Sequence, residues 1–223
     1  MVKEAIKDAI GCSRKGRIKV TKIVQKRYPH LSASKIRRVY EQEGFALNKQ
    51  LRKRVKDNPK NPIPVCFATN EEWGIDFMSD ALANGRRFRT LNVIDHFHRA
   101  CMGIKASCSL PARAVIEFLD ILIEKNGCPK RIRTDNGPEF RSKLFQIWLK
   151  AKGISWSRIQ KGKPQQNAIV ERFNRTYRED ILDANVFYSI DHAQEITDRW
   201  IYEYNHERPH QSLNYQTPAS YAA

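Results

Sequence analysis

Arg131-Ile132-Arg133-Thr134-Asp135-Asn136-Gly137 is the stretch on which the fold turns. It reads as a short strand from Arg131 to Thr134, ended by Asp135 and an Asn-Gly turn. Before it, Pro111 is placed in the first turn of a predicted helix. Val115, Ile116, Leu119, Leu122 and Ile123 give that helix a wide apolar stripe, closed near Asn126 and Gly127. After it, Ser142 caps a predicted helix carrying Leu144, Phe145, Trp148 and Leu149 and ending at Gly153. A strand from Ile154 to Ser157, a loop from Gln160 to Pro164 and a helix bearing Glu171 complete an alternation of helix and strand.

Upstream, the pattern changes to one of strands alone. Trp73, Ile75 and Phe77 alternate with Gly74, Asp76 and Met78, so a strand places Asp76 on the face opposite the bulky residues. Asn84-Gly85 supplies a turn into a strand from Arg87 to Ile94, and a third strand runs from about Arg99 to Ala106. Three antiparallel strands followed by helix, strand, helix, strand, helix is the element order of an α/β, ribonuclease-H-like mixed sheet. Ile196, Trp200 and Tyr204 form a packing stripe on a further helix near the end of the chain.

The charge is unevenly distributed. Of a formal +16, residues 1–60 carry +13, from 18 Lys and Arg against 5 Asp and Glu. A local excess of this size predicts a polyanionic partner, because Lys and Arg release condensed counterions when they neutralise phosphates. The same region predicts short helices over Met1–Ile10 and Arg17–Tyr28, a third capped by Ser32, and a basic one from about Asn48 to Lys56. With Lys35, Arg37, Arg38, Arg52, Lys53 and Arg54 on its faces, this arm resembles a helix-turn-helix module for double-stranded DNA. The predicted organisation is a small all-helical basic domain at 1–57, a Pro-rich linker at 58–68 and a catalytic core at 69–223. Five cysteines without a Cys-x-x-Cys pair predict reduced, buried thiols, with neither a disulfide framework nor a zinc site. Without a signal-like segment or a membrane-length apolar run, a cytoplasmic protein with no membrane partner is expected.

The chemistry lies in three carboxylates. Asp76 falls within a strand, Asp135 at a strand end and Glu171 on a helix, with 35 residues between the last two. Phosphodiester transfer needs the attacking oxygen deprotonated, the leaving oxygen stabilised and both held in line, which two divalent ions bridged by carboxylates achieve. Mg²⁺ or Mn²⁺ prefers hard oxygen ligands, so Asp76, Asp135 and Glu171 suffice without His or Cys, and Asp76 is the expected bridge. On the Glu171 helix, Asn167, Arg175 and Arg178 fall roughly on the same face, where a cation can grip phosphate. Lys163 in the preceding loop is a further candidate DNA contact.

Four segments carry a family resemblance. They are Trp73-Gly74-Ile75-Asp76-Phe77, Asp135-Asn136-Gly137-Pro138-Glu139-Phe140, Asn167-Ala168 with Glu171, and Tyr204-Asn205-His206-Glu207-Arg208-Pro209-His210. Together they resemble the integrase core of insertion-sequence family three transposases, a core related to retroviral integrases, over about Pro62 to Tyr221. The resemblance implies that Asp76, Asp135 and Glu171 are the catalytic and metal-binding triad, and that Arg178 is the basic residue seven positions past the Glu. It implies metal-dependent cutting at element ends, attack of the freed 3′ hydroxyl on target DNA, a homo-oligomer on DNA and an upstream-frame protein as partner or fusion. Where the family has Asp-Asp-Phe-Ser-Arg, this chain reads Asp95-His96-Phe97-His98-Arg99; it has Arg172 for a small residue and Arg175 for a glycine. His96 and His98 are expected to pack or to be solvated at a hairpin end rather than to form a metal pair. A hydrolytic ribonuclease-H-like nuclease and an inactive DNA-binding copy are the alternatives.

Overall fold

The computed structural model describes residues 1–11, 15–46, 65–159 and 167–222. Helices α1 (Val2–Ile10), α2 (Arg17–Arg27) and α3 (Ala33–Gln42) come first. Ser32 caps α3, its Oγ accepting the Lys35 N–H at 3.3 Å. Ile6, Val20, Val24, Ile36 and Tyr40 close a small core of their own between these helices. Each such buried side chain stabilises the module by roughly 1.5–3 kcal/mol relative to exposure. The predicted basic helix with Arg52, Lys53 and Arg54 lies outside the described residues, as do Cys12, linker residues 58–64 and the loop carrying Lys163.

The core is built on five strands: β1 (Trp73–Ala81), β2 (Arg87–Asp95), β3 (Cys101–Ser107), β4 (Arg131–Thr134) and β5 (Ser155–Arg158). Their order is β3-β2-β1-β4-β5. The first three form an antiparallel meander, and β4 runs parallel to both β1 and β5. This is the mixed sheet that the element order predicts. β3 starts two residues later than expected because Asp95 holds a tight turn after β2. Its Oδ1 accepts the N–H groups of Phe97 at 2.8 Å and His98 at 3.4 Å, and Arg99 takes a φ of 61°.

Helices cover both faces of the sheet. Trp73, Ile75, Leu91 and Val93 pack on one side against α4 (Ala112–Asn126), α5 (Pro138–Arg141) and α6 (Lys143–Ala151), through Leu119, Phe140, Phe145 and Trp148. Phe88, Ile94 and Ile104 pack on the other against α7 (Ala168–Tyr177) and α8 (Ile190–His206), through Phe173, Tyr177, Trp200 and Tyr204. Alternation along β1 therefore turns Asp76 toward α7. Pro111 is the N-cap of α4, one position before the helix proper. The sequence pattern gave no sign of α5, which Pro138 starts at its first position with φ already fixed. Leu144, assigned to the α6 stripe, is instead 50% exposed.

A π-helical segment, Arg178–Leu182, follows α7, and α9 (Pro218–Ala222) ends the described chain. Among the described residues no helix is long and apolar enough to cross a membrane. Cys66, Cys101, Cys108 and Cys128 are free, but only Cys101 is buried, so the expectation of buried thiols holds for one of the four.

Candidate active site

Asp76 lies in the middle of β1, opposite Asn92 of β2. Its Oδ1 accepts the Phe77 N–H at 2.9 Å and its Oδ2 accepts the Asn174 side-chain amide at 2.8 Å. Asn174 in turn accepts from the Asn92 amide at 2.7 Å. A chain of amides thus runs from the sheet through α7 and fixes Oδ2 of Asp76, while the Phe77 N–H holds Oδ1. Burial pushes the Asp76 carboxyl up to about 6, and the negative charges of Asp135 and Glu171 push in the same direction. The Phe77 and Asn174 donors oppose that rise without cancelling it. Asp76 is therefore a carboxylate whose charge is disfavoured first by burial and then by the charges of Asp135 and Glu171.

Asp135 follows the last residue of β4. Its Oδ1 accepts the Gly137 N–H at 2.9 Å, and the Asn136 amide donates to the Ile159 carbonyl at 2.8 Å, so the turn is tied to the end of β5. A Cβ on Gly137 would stand 3.1 Å from that Asp135 oxygen and 3.3 Å from Oε2 of Glu139. Glu139 is thus a fourth carboxylate at the turn. One of its oxygens is paired with Arg89 at 2.5 Å and the other is buried without a hydrogen-bond partner. Sequence reasoning quoted Glu139 only as part of a motif, because a Glu after Pro in a turn gives no signal of its own.

Glu171 and Arg175 are exposed on α7. Asn167, the N-cap residue, is buried, and its Oδ1 has no hydrogen-bond partner among the described residues. Arg178 begins the π-helical segment and leans over the far end of β1. There it donates to the Ser79 carbonyl at 3.0 Å, with Asp80 at 3.8 Å and Asp183 at 3.6 Å. The row of four predicted on one face is therefore split between a buried cap, an exposed pair and a guanidinium engaged at the strand end. Lys35, Arg37 and Arg38 are exposed on α3. Asn174, three residues after Glu171, was missed; the helical period that grouped Asn167 with Glu171 could have placed it on the Asp76 side.

Gly74 sets how closely α7 approaches. A Cβ there would overlap both Cγ2 of Val170 and Nε2 of His96, so only glycine lets the first turn of α7 rest on β1 beside Asp76. His96 is buried with Glu72, its Nδ1 lying 2.8 Å from Oε1. Arg133 donates to the other Glu72 oxygen at 3.1 Å. Burial raises the Glu72 carboxyl, but the His96 bond and the Arg133 charge outweigh it and hold the group below its ordinary range. His98 makes a second pair with Asp95 at 2.8 Å. The two histidines thus have separate carboxylate partners beneath the hairpin, and both are buried. The expectation of packing holds, and that of solvation at an exposed hairpin end does not.

Among the described residues, no group of three His, Cys, Asp or Glu side chains is close enough to hold a metal ion. Three carboxylates repel one another, and Asp135 directs one oxygen back to its own turn. The donor chemistry nevertheless fits a hard divalent cation: Asp76, Asp135 and Glu171 offer only oxygens, and the charge they place around Asp76 is what such a cation neutralises.

Residues 68–164 match an integrase core domain family, and residues 152–218 match a second integrase core domain family. The chain is 35% identical over 201 residues to an uncharacterised 31.7 kDa protein of insertion element IS407 from Burkholderia multivorans, covering 90% of this chain and 73% of that protein. It is 28% identical over 185 residues to the transposase for insertion sequence element IS904 from Lactococcus lactis, covering 82% of this chain and 70% of that one. In fold it is similar to the HTLV-2 integrase catalytic core domain solved in complex with magnesium in a trimeric form. That likeness has a TM-score of 0.54 and 21% identity, over 70% of this chain and 98% of that one.

Proposed function

Because the chain belongs to the integrase-core family of insertion-sequence transposases, we propose that it cuts DNA at the ends of its element and joins the freed 3′ hydroxyl to target DNA, with Asp76, Asp135 and Glu171 as catalytic carboxylates. The observation that carries this reading is the placement of Asp76, a half-buried strand carboxylate held by the Phe77 and Asn174 donors on the face that meets the helix of Glu171, its proton affinity raised first by burial and then by the charges of Asp135 and Glu171. Mg²⁺ or Mn²⁺ bound by these oxygens would activate the attacking hydroxyl and stabilise the leaving oxygen. Asp76, held by the Phe77 and Asn174 donors, is the rigid member. Glu171, exposed on α7, is the member able to move as substrate enters. The magnesium in the HTLV-2 core supports the choice of metal. That core's trimeric form supports self-association of this chain.

The helical module of α1–α3 serves in this reading as a DNA-binding arm ahead of a core that begins near residue 69. Lys35, Arg37 and Arg38 lie on its open face, and Arg52, Arg54 and Lys163 continue the basic set in sequence. A partner from an upstream reading frame, separate or fused, would add recognition of the element ends. The test is a strand-transfer assay with purified protein, Mg²⁺ or Mn²⁺, and labelled DNA from both flanks of the gene. Label joined to a target plasmid is the expected result. Ends that are cut but never joined, with or without the upstream partner, would support the hydrolytic nuclease instead.

A further inference from the structure

Behind α7, on the side turned away from Glu171, α2 and the chain after α8 enclose a cavity of about 300 Å³. Four cations line it: Lys19 from α2, Arg99 from the turn after β2, Arg172 from α7 and Arg208 from the tail. His210 completes the wall, and no Asp or Glu among the described residues lines it. Arg208 is 5% exposed and pairs through Nη1 with the buried Asp180, yet its Nε has no hydrogen-bond partner among the described residues. Nε2 of His210 is likewise buried and without a hydrogen-bond partner among the described residues.

Cations do not gather in a half-closed space without cost. Burial, with the Arg208 and Arg172 charges, brings the Lys19 ammonium down to about 8. Burial and the charges of Lys19, Arg208 and Arg172 bring the His210 imidazole down to about 3. Four segments distant in sequence converge on the cavity, so the charge is a feature of the fold rather than of one basic run. Two of the contributors are residues that sequence reading left without a role: Arg172, which departs from the family's small residue, and the Arg208-Pro209-His210 segment. The donor set of guanidinium, ammonium and imidazole, with Thr176 and Ser212 hydroxyls beside it, suits a tetrahedral oxyanion.

We propose that this cavity binds a backbone phosphodiester of DNA, held between Lys19 of the helical module and Arg172 of the helix that carries Glu171. The volume admits one phosphate with part of its sugar and excludes a base pair, so the contact is to backbone and reads no sequence. A strand seated there bridges the N-terminal helices and α7, so that DNA engaged by the module also bears on the position of Glu171. This inference deepens the reading of the chain as a DNA-acting enzyme and rests on it.

The test uses the full chain in EDTA at neutral pH, where no strand chemistry occurs. Its failure is therefore separate from failure of the strand-transfer assay. Inorganic phosphate at about ten times its Kd, compared with chloride at equal ionic strength, is expected to raise the melting temperature of the wild type by about 3 °C. The Lys19→Gln, Arg172→Gln double variant is expected to lose that increment while melting no lower than wild type in chloride. Should the double variant fail to fold, Arg172→Gln alone, at an exposed position, is expected to lose part of the increment. A short duplex is expected to displace phosphate, seen as recovery of the ³¹P linewidth. Equal shifts in phosphate and chloride, or a full phosphate increment in the variants, would overturn the site. Failure of the duplex to compete would overturn DNA as its source and leave free phosphate.

Discussion

Gly74 and Val170 meet with no room for a single added carbon: a Cβ on the strand residue would overlap Cγ2 of the helix residue. Gly74 is two positions before Asp76 and Val170 one before Glu171, so this contact fixes the separation of two of the three carboxylates. Gly74→Ala is expected to cost about 1–3 kcal/mol by overpacking, measured by urea denaturation, and to lower strand transfer sharply by lifting α7. Val170→Ala in the same chain should restore part of both. Unchanged activity in Gly74→Ala would show that the height of α7 does not matter.

Asn174 orients Asp76 from behind through the amide chain to Asn92. Replacing it with Ala leaves the Asp76 Oδ2 and the Asn92 amide without their partners. Stability is expected to fall by about 1–3 kcal/mol. Activity should fall by about 10–100-fold, the usual effect of losing a group that orients a metal ligand. The relevant measurement is transfer rate against Mg²⁺ concentration, in which the variant should need more metal.

The burial of Asp76, reinforced by the negative charges of Asp135 and Glu171, has a thermodynamic signature. Its carboxyl lies at about 6 in the folded chain and near 3.8 when unperturbed. Between those values the native state binds more protons than the unfolded state, so this group's contribution to stability falls as pH rises through the window. Glu171→Gln removes one of the repelling charges. In EDTA at pH 7 it is expected to melt higher than wild type, with the gain shrinking below pH 5, while losing transfer activity. A lower melting temperature at pH 7 would mean that Glu171 does not act on Asp76.

His210 has the opposite slope. Held neutral down to about 3 against an ordinary 6.5, it leaves the native state with fewer bound protons than the unfolded one. Stability from this group is therefore complete above pH 6.5 and is lost as pH falls toward 3. His210→Gln should flatten the acid limb of a melting-temperature profile between pH 4 and 6. A profile parallel to that of wild type would contradict the burial of a neutral imidazole there.

The sheet was legible because its determinants are local. The alternation of Trp73, Ile75 and Phe77, the Asn-Gly turns, and the stripe of Val115, Leu119 and Leu122 are written in successive residues, and the order of elements does the rest. The positions of Asp76, Asp135 and Glu171 were legible for the same reason, since a strand interior, a strand end and a helix face can each be read from a few neighbours. What escaped depends on contacts across the fold. Asn92 and Asn174 become partners only when β2 and α7 meet, and Glu72 acquires His96 and Arg133 from two other segments. The cavity of Lys19, Arg172 and Arg208 has members more than 150 positions apart, which no periodicity connects. Leu144 failed for the converse reason: an apolar residue on a helix reads as core whether or not the fold covers it, and this one is half exposed.

The central claim is that three carboxylates act as one centre, and the most direct measurement compares Asp76→Asn, Asp135→Asn and Glu171→Gln with wild type in strand transfer, with DNA affinity measured on the same preparations. The account predicts that each variant binds DNA as wild type does yet joins essentially no labelled ends, and that any two substitutions together are no worse than one. A variant at any of the three positions that joins ends at the wild-type rate with Mg²⁺ would contradict it.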